Sequence, residues 1–467
     1  MAAWAVNSDE PLPYERRDSE HIEEIMTAWS EAEGPWLYES MATLVMQSDH
    51  PERPKNVNNT TFELLQQMDD QRRERLERAA NRELENERNA ARSETYYWEE
   101  WLRLFESAGC ERSESSSNGD PHMRTYDGEK YDFQTAGDYL LTSSKDERFM
   151  IQTQQVRHND KVSVNGAAYL NVNGDEIELY AQNHPDPFTD KVMRINGETV
   201  ENEKAEIILK NGGVIRYENG RNVVNWPTGE QLQFKTRTFQ DSKLLDLFVN
   251  VPSCNDNYLG LLGDNNGNGD DDFDVDESTD DQLTRVDYDR SFDALFGDDR
   301  TTSEQRENQK KDLKFLSRTF GNQYALDQES SRFSNPMVNL PEAERYPQSH
   351  VTLADMDDDQ LKKAIKVARE ASVPEDRMYA AVYDYGFVGL MPITDFPTYS
   401  RPEKREERNE PKIHKEQKEE HKDIDIIPQI RFGTGVFRGV QHGNTRRAPS
   451  NHERRHPTRT NTGNNRR

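Results

Sequence analysis

Residues Gly260–Asp274 read GLLGDNNGNGDDDFD. Asp264, Asp270, Asp271, Asp272 and Asp274 stand almost side by side there, with asparagines and glycines between them. Like charges packed so closely repel, so the turn is either solvated or held by a cation. Oxygen donors, with glycines to relieve the backbone, are what Ca²⁺ prefers. A transition metal would call for His or Cys nearby, and the stretch has neither. An EF-hand register puts Asp264, Asn266, Asn268 and Gly269 on loop positions 1, 3, 5 and 6, but the bidentate Glu of position 12 falls on Val275. A strand-like stretch, not a helix, leads in. The EF-hand is therefore excluded at its strongest ligand.

The rest of the chain sets the context. Its 467 residues suggest roughly two to four domains. Hydrophobic residues make up only 32%, matched by 32% charged residues, which is lean for one wholly globular body. A net charge of -28 argues against nucleic-acid binding through the body of the protein, which would repel phosphates. It suits a soluble protein, a saline environment or cation binding. No window approaches a transmembrane span. The N-terminal MAAWAVNSDEPLPYERR lacks the basic region and long apolar run of a signal peptide. An intracellular protein, another export route or a fragment of a longer precursor all fit that beginning. The two cysteines, Cys110 and Cys254, are either one disulfide or two free thiols.

Hydrophobic periodicity divides the chain. Residues 1–109 carry helical spacing, interrupted at Gly34-Pro35 and by a Pro/Asn loop. In that loop Asn58 and Asn59 each begin a glycosylation sequon, relevant only in a secreted chain. From Phe62 a long helix is expected. Its middle is polar nearly all round, a solvated helix laced with i,i+4 ion pairs or else a coiled-coil arm. Its amphipathic end, YYWEEWLRLF, should dock on something.

From about 119 the period changes to two. Short β-branched and aromatic runs are separated by Asn173-Gly174, Asn196-Gly197 and Asn219-Gly220, the pairs favoured by tight hairpins. The expected class is α+β multidomain, with a central antiparallel β-sandwich-like domain over 110–277. A mixed linker and strand-helix extension over 278–335 would contain helices at FDALFG and SEQRENQKKDLKFLSRTFG. A small helical hairpin over 336–391 would begin with Asp355 as N-cap, with Leu361, Ile365 and Ala368 on its apolar face. Residues 392–467 read as a charged, largely disordered tail with a basic, nearly acid-free end. That end suits either solvent or an acidic surface.

A second register of the opening stretch fits better than the EF-hand. Gly260–Phe273 resembles the C-terminal signature of von Willebrand factor type D domains, roughly G-L-C-G-N-x-N-G-D-x-x-D-D-F. GDPHMRTYDGEKYDFQTAGDYLL, Gly119–Leu141, resembles the same family's opening, G-D-P-H-x-x-T-[FY]-D-G-x-x-Y-x-F. The two lie some 140 residues apart with only β-like sequence between them, so the resemblance covers 119–275. FGNQYALDQESSRF and the helical pair after it are similar to the segment that follows the D domain in some bacterial and mucin-like extracellular proteins.

The resemblance implies a Ca²⁺ site. The residues on its ligand positions are Asp264, Asn266, Asp271 and Asp272, with a backbone carbonyl near Asn268, and Asp120 is the expected partner from the first strand. Family members more often carry Asn at 264. The motif cysteine is Leu262 here, so disulfide-linked multimers are in doubt. If the two signatures lie side by side, a Cys110–Cys254 disulfide follows in an oxidising compartment.

The Asp120-Pro121-His122 sequence also resembles a self-cleaving site. There the Asp carboxyl attacks its own carbonyl, proline leaves, and His122 assists protonation. No other catalytic constellation stands out. His122 and His158 read as surface or core residues, and there is no phosphate-binding loop. The expected function is non-enzymatic: a Ca²⁺-binding structural or adhesive extracellular protein. It would assemble with copies of itself or with other matrix or surface proteins. Self-processing at Asp120-Pro121 and a yolk-type lipid-carrier fragment are the alternatives. The second would need a large apolar cavity module, for which the sequence offers no candidate.

Overall fold

The three Asn-Gly pairs decide how the β region folds back on itself. Asn173 and Gly174 have φ of 54° and 98°, Asn196 and Gly197 49° and 85°, Asn219 and Gly220 50° and 79°. Two successive positive φ values are what a two-residue hairpin turn needs, because its backbone twist then matches that of the strands. The pairs join β6 (Ser163–Val172) to β7 (Asp175–Tyr180), β8 (Met193–Ile195) to β9 (Glu198–Thr199), and β11 (Val214–Glu218) to β12 (Arg221–Asn225).

The computed structural model describes residues 62–399, except 64, 67–69, 90–94, 183, 187, 240–241, 257 and 276–302. The sequons, the FDALFG segment and the basic tail lie outside the described residues. Two antiparallel sheets form the β domain. The first has eight strands, in spatial order β10 (Ile207–Ile208), β11, β12, β13 (Gln231–Phe239), β14 (Ser242–Pro252), β1 (Arg112–Asn118), β2 (His122–Arg124) and β3 (Lys130–Asp132), and the second has seven, in the order β15 (Tyr258–Leu259), β4 (Gly137–Ser144), β5 (Phe149–Arg157), β6, β7, β8 and β9. Alternate residues of both sheets meet in one core that includes Tyr139, Leu141, Phe149, Trp226 and Phe234. Trp226 places its indole N–H on the Asn171 carbonyl at 2.8 Å, so the buried donor is satisfied.

Strand β1 (Arg112–Asn118) pairs with β14 (Ser242–Pro252), Arg112 opposite Pro252. Cys110 and Cys254 stand just beyond that last pair and are bonded, with Cα atoms 5.9 Å apart. The register of the strands thus accounts for the disulfide.

Helices α1 (Asp70–Asn89) and α2 (Thr95–Gly109) precede the β domain. The polar α1 keeps Leu76 and Ala80 buried against Trp101, Leu104 and Phe105 of α2. Glu63 ties this helical unit to the β domain through Arg216 at 2.7 Å.

After the β domain come α3 (Ser303–Phe315), α4 (Asp358–Glu370) and α5 (Met378–Tyr383), the last continuing as a π turn over Asp384–Val388. The N-cap of α4 differs from expectation. Asp357, not Asp355, accepts the Gln360 N–H at 2.7 Å, because Met356 is extended and breaks the helical path. Asp355 instead forms a capping box with Thr352. Ile365 and Ala368 are buried as expected, while Leu361 is only partly buried. Residues 392–399, assigned to the tail on composition, lie along the eight-stranded sheet. Gln233 donates to the Thr398 carbonyl at 2.7 Å, Arg112 to the Tyr399 hydroxyl at 3.0 Å, and Arg221 pairs with Asp395 at 2.8 Å. Side chains of the sheet supply these contacts, and tail composition does not reveal them.

Candidate functional sites

The short strands β2 (His122–Arg124) and β3 (Lys130–Asp132) are joined by a turn carrying Asp127. Tyr126 donates its N–H to the Leu262 carbonyl at 3.0 Å, and the Tyr131 hydroxyl bonds the Leu261 carbonyl at 2.5 Å. Phe273 packs on Tyr131 and Phe320 at centroid distances of 5.2 and 5.3 Å. These contacts bring the opening signature against the acidic turn.

Carboxylate oxygens of Asp127, Asp264 and Asp272 lie within 4.8 Å of one another. Gly263 makes this possible. Its φ is +77°, and a Cβ there would sit 2.0 Å from an Asp272 oxygen. Asp272 is buried and neither of its oxygens has a partner in hydrogen-bond line. Burial, reinforced by the charges of Asp127, Asp264 and Asp271, pushes its carboxyl up to about 7. Burial likewise raises Asp127. Asn266 donates its side-chain amide to Asp264 and Asp271, both at 3.0 Å, and Asn268 donates to Asp271 at 3.0 Å. The asparagines thus orient the carboxylates, and Asp127, which the sequence reading passed over, completes the group.

Asp120 joins a different group. It precedes β2, whereas Asp127 follows it, so the strand carries the two aspartates apart. The Asp120 carboxylate meets His122 Nε2 at 2.7 Å, and Asp384 Oδ1 lies 3.3 Å from the same nitrogen. His122 Nδ1 bonds Asp132 at 2.6 Å, and Asp132 also accepts from the Tyr379 hydroxyl at 3.1 Å. Asp384 Oδ1 accepts the Asp120 N–H at 3.2 Å. The Gly119 N–H and Arg237 both donate to Asp246 beside it. Gly119 has φ +66°, and a Cβ there would meet the Asp384 carboxylate at 2.4 Å, so only glycine admits this approach. Gln134 donates its side-chain amide to the Asp120 carbonyl oxygen.

Electrostatics follow from burial. Loss of solvent, then the charge of Asp384, pushes Asp120 well above the usual carboxylate range. Burial alone would lower His122, but Asp120, Asp132 and Asp384 outweigh it and raise it. Burial would raise Asp384, and His122 and Arg237 outweigh that and lower it.

His122 is therefore neither a lone core residue nor a surface one. Its partners Asp132, Tyr379 and Asp384 escaped the sequence reading. Asp132 falls on the unspecified position of the signature's Y-x-F, so the motif does not mark it, whereas Asp127 occupies a specified position and could have been found there. Asp384 and Tyr379 lie some 250 residues downstream on a helical stretch that carries no motif. Among the described residues no helix is long and apolar enough to cross a membrane. A family model described as von Willebrand factor type D domain matches residues 115–278. A search of curated proteins returns no match.

Proposed function

Because residues 115–278 are a von Willebrand factor type D domain, we propose that the chain is a Ca²⁺-binding structural or adhesive protein of the extracellular space. It acts in the assembly of a matrix, coat or surface layer. The observation that carries this reading is the convergence of Asp127, Asp264 and a buried Asp272 without a partner in hydrogen-bond line. Carboxylates that repel one another without a cation become ligands with one, and Ca²⁺ favours an all-oxygen set. Asn266 bridges Asp264 to Asp271, which keeps Asp271 beside this group as a further oxygen donor. An ion there joins the β2–β3 turn to the end of the domain. The disulfide supports an oxidising compartment.

Ca²⁺ titration of the chelator-treated chain tests the site. Saturation a hundredfold above Kd should add about 2.7 kcal/mol of stability. An unchanged melting temperature would refute the site. Light scattering tests assembly: larger species with Ca²⁺, reversed by chelator, are expected. A strict monomer in both states would remove the assembly role.

One contact favours a second reading, in which the chain cuts its own Asp120–Pro121 bond. The Asp120 carbonyl oxygen, which gains negative charge in the reaction, already accepts from Gln134. The Asp120 carboxyl oxygen would attack that carbonyl carbon to form a cyclic anhydride. The Pro121 nitrogen would leave with a proton supplied by His122, and water would open the anhydride. Incubation at mildly acidic pH, followed by mass spectrometry under reducing conditions, should yield chains ending at Asp120 and beginning at Pro121. A single intact chain would dismiss this reading.

A further inference from the structure

Asp120, Asp132, Asp246 and Asp384 are each at most 3% exposed. Among the described residues, the cations in ion-pair contact with them are Arg237, on Asp246, and His122. Even with His122 protonated, four carboxylates face two positive charges. Buried charge left unbalanced is costly, and either protons or a divalent cation must supply the difference.

The geometry of His122 separates these cases. Asp132 holds Nδ1 at 2.6 Å, which leaves Nε2 aimed at Asp120 and Asp384. Nε2 and the Asp120 oxygen are 2.7 Å apart, yet neither Nε2 nor either Asp120 oxygen has a partner in hydrogen-bond line. One ligand atom each of Asp120, His122 and Asp384 lies within 4.8 Å of the other two, close enough for the three to share one ion. A carboxylate on Nδ1 that fixes the tautomer and leaves Nε2 as a ligand is the usual outer support of a metal-bound histidine. Tyr379 in turn holds that carboxylate. A cavity lined by His122, Asp132, Tyr379 and Asp384 opens beside the group and offers a way in and space for a water ligand.

We propose that His122 Nε2, Asp120 and Asp384 bind a divalent transition cation of the zinc type, at a site separate from the acidic turn. One imidazole and two carboxylates suit Zn²⁺, with bonds of about 2.0–2.2 Å, better than Ca²⁺, which takes six to eight oxygens. The ligands come from the opening of the β domain and from the C-terminal helical pair, so the ion pins the second to the first. The proposal stands independently of both readings above. Occupancy would also withhold the Asp120 carboxyl and His122 Nε2 from any bond cleavage.

The test is Zn²⁺ binding to the full chain after chelation, by calorimetry and by thermal melting. Asp384→Asn and Asp120→Asn keep the shape of the site, and Asp272→Asn is the control in the acidic turn. Wild type and Asp272→Asn should bind Zn²⁺ with the same stoichiometry. Asp384→Asn and Asp120→Asn should each bind one equivalent fewer and lose the Zn²⁺-dependent rise in melting temperature. Co²⁺ should give the visible absorption of a tetrahedral site in wild type only, relative to those two variants. Equal stoichiometry in wild type and both site variants would overturn the proposal, as would Zn²⁺ binding that Asp272→Asn abolishes. Circular dichroism of the metal-free variants should match wild type, which separates loss of the site from loss of the fold.

Discussion

Replacing Asp272 by Asn should make the cation-free protein more stable while abolishing its response to Ca²⁺. The carboxyl is moved from an ordinary 3.8 to about 7 by burial and by its acidic neighbours. That difference corresponds to about 4 kcal/mol of penalty on the ionised form. Allowing for the solvent that still reaches the turn, about 2 kcal/mol is expected. The sign follows from proton binding. Between about pH 4 and pH 7 the folded chain holds a proton at Asp272 that the unfolded chain has released, so stability without cation falls as pH rises through that window. The amide of the Asp272→Asn variant would carry no charge and show no such fall. In chelator, urea unfolding at about pH 8 should therefore favour Asp272→Asn by about 2 kcal/mol, with the difference vanishing near pH 4. With saturating Ca²⁺ the order should reverse, because only wild type gains. A variant less stable than wild type in chelator at the higher pH would refute the reasoning, since it would mean that the buried carboxylate is stabilised by a partner rather than held against its preference.

Three further outcomes are expected. Cys110→Ser/Cys254→Ser opens a loop spanning 144 residues; chain entropy alone assigns it about 5 kcal/mol, to be read from urea midpoints, and a loss below about 1 kcal/mol would mean that the β1–β14 ladder holds unaided. Gly119→Ala should cost about 2–4 kcal/mol, since its Cβ would meet Asp384; limited proteolysis should then cut within 351–399, and an unchanged digest would count against a tight contact there. His350 is lowered to about 4 by burial and then by Arg318 and Lys314. The folded chain therefore resists protonating it. The stability this gives is complete above about pH 6.5 and lost as pH falls towards 4, by about 2 kcal/mol after discounting for solvent, and His350→Gln should flatten that loss in unfolding curves.

The fold was legible where local chemistry dictates it. Asn173-Gly174, Asn196-Gly197 and Asn219-Gly220 can hardly do other than turn, and the strands between them alternate. The clustering of the acidic turn was legible, because five aspartates spaced by asparagines and glycines stand out in any sequence. Its partner was not. Asp120 and Asp127 share one short signature, and only the course of β2 between them decides which reaches the turn. Asp384 was invisible for a different reason. Its meaning depends on a contact with Asp120 across 264 residues, and its own neighbours on α5 and the π turn read simply as apolar helix. Asp355 and Asp357 are equally good caps by composition, and the extended Met356 chooses between them.

The disulfide gives a break at Asp120–Pro121 an unusual character. Cys110 lies before that bond and Cys254 after it, so the bond sits inside the ring that the two sulfurs close. Cutting a ring once yields a longer open chain, not two pieces. A nicked molecule would keep its full mass in solution and migrate as one species until reduced. Tension applied across the nicked domain would pass through one sulfur–sulfur link in place of the severed backbone. Processing would then be a change in how the protein bears load, hidden from any assay that counts only separated fragments.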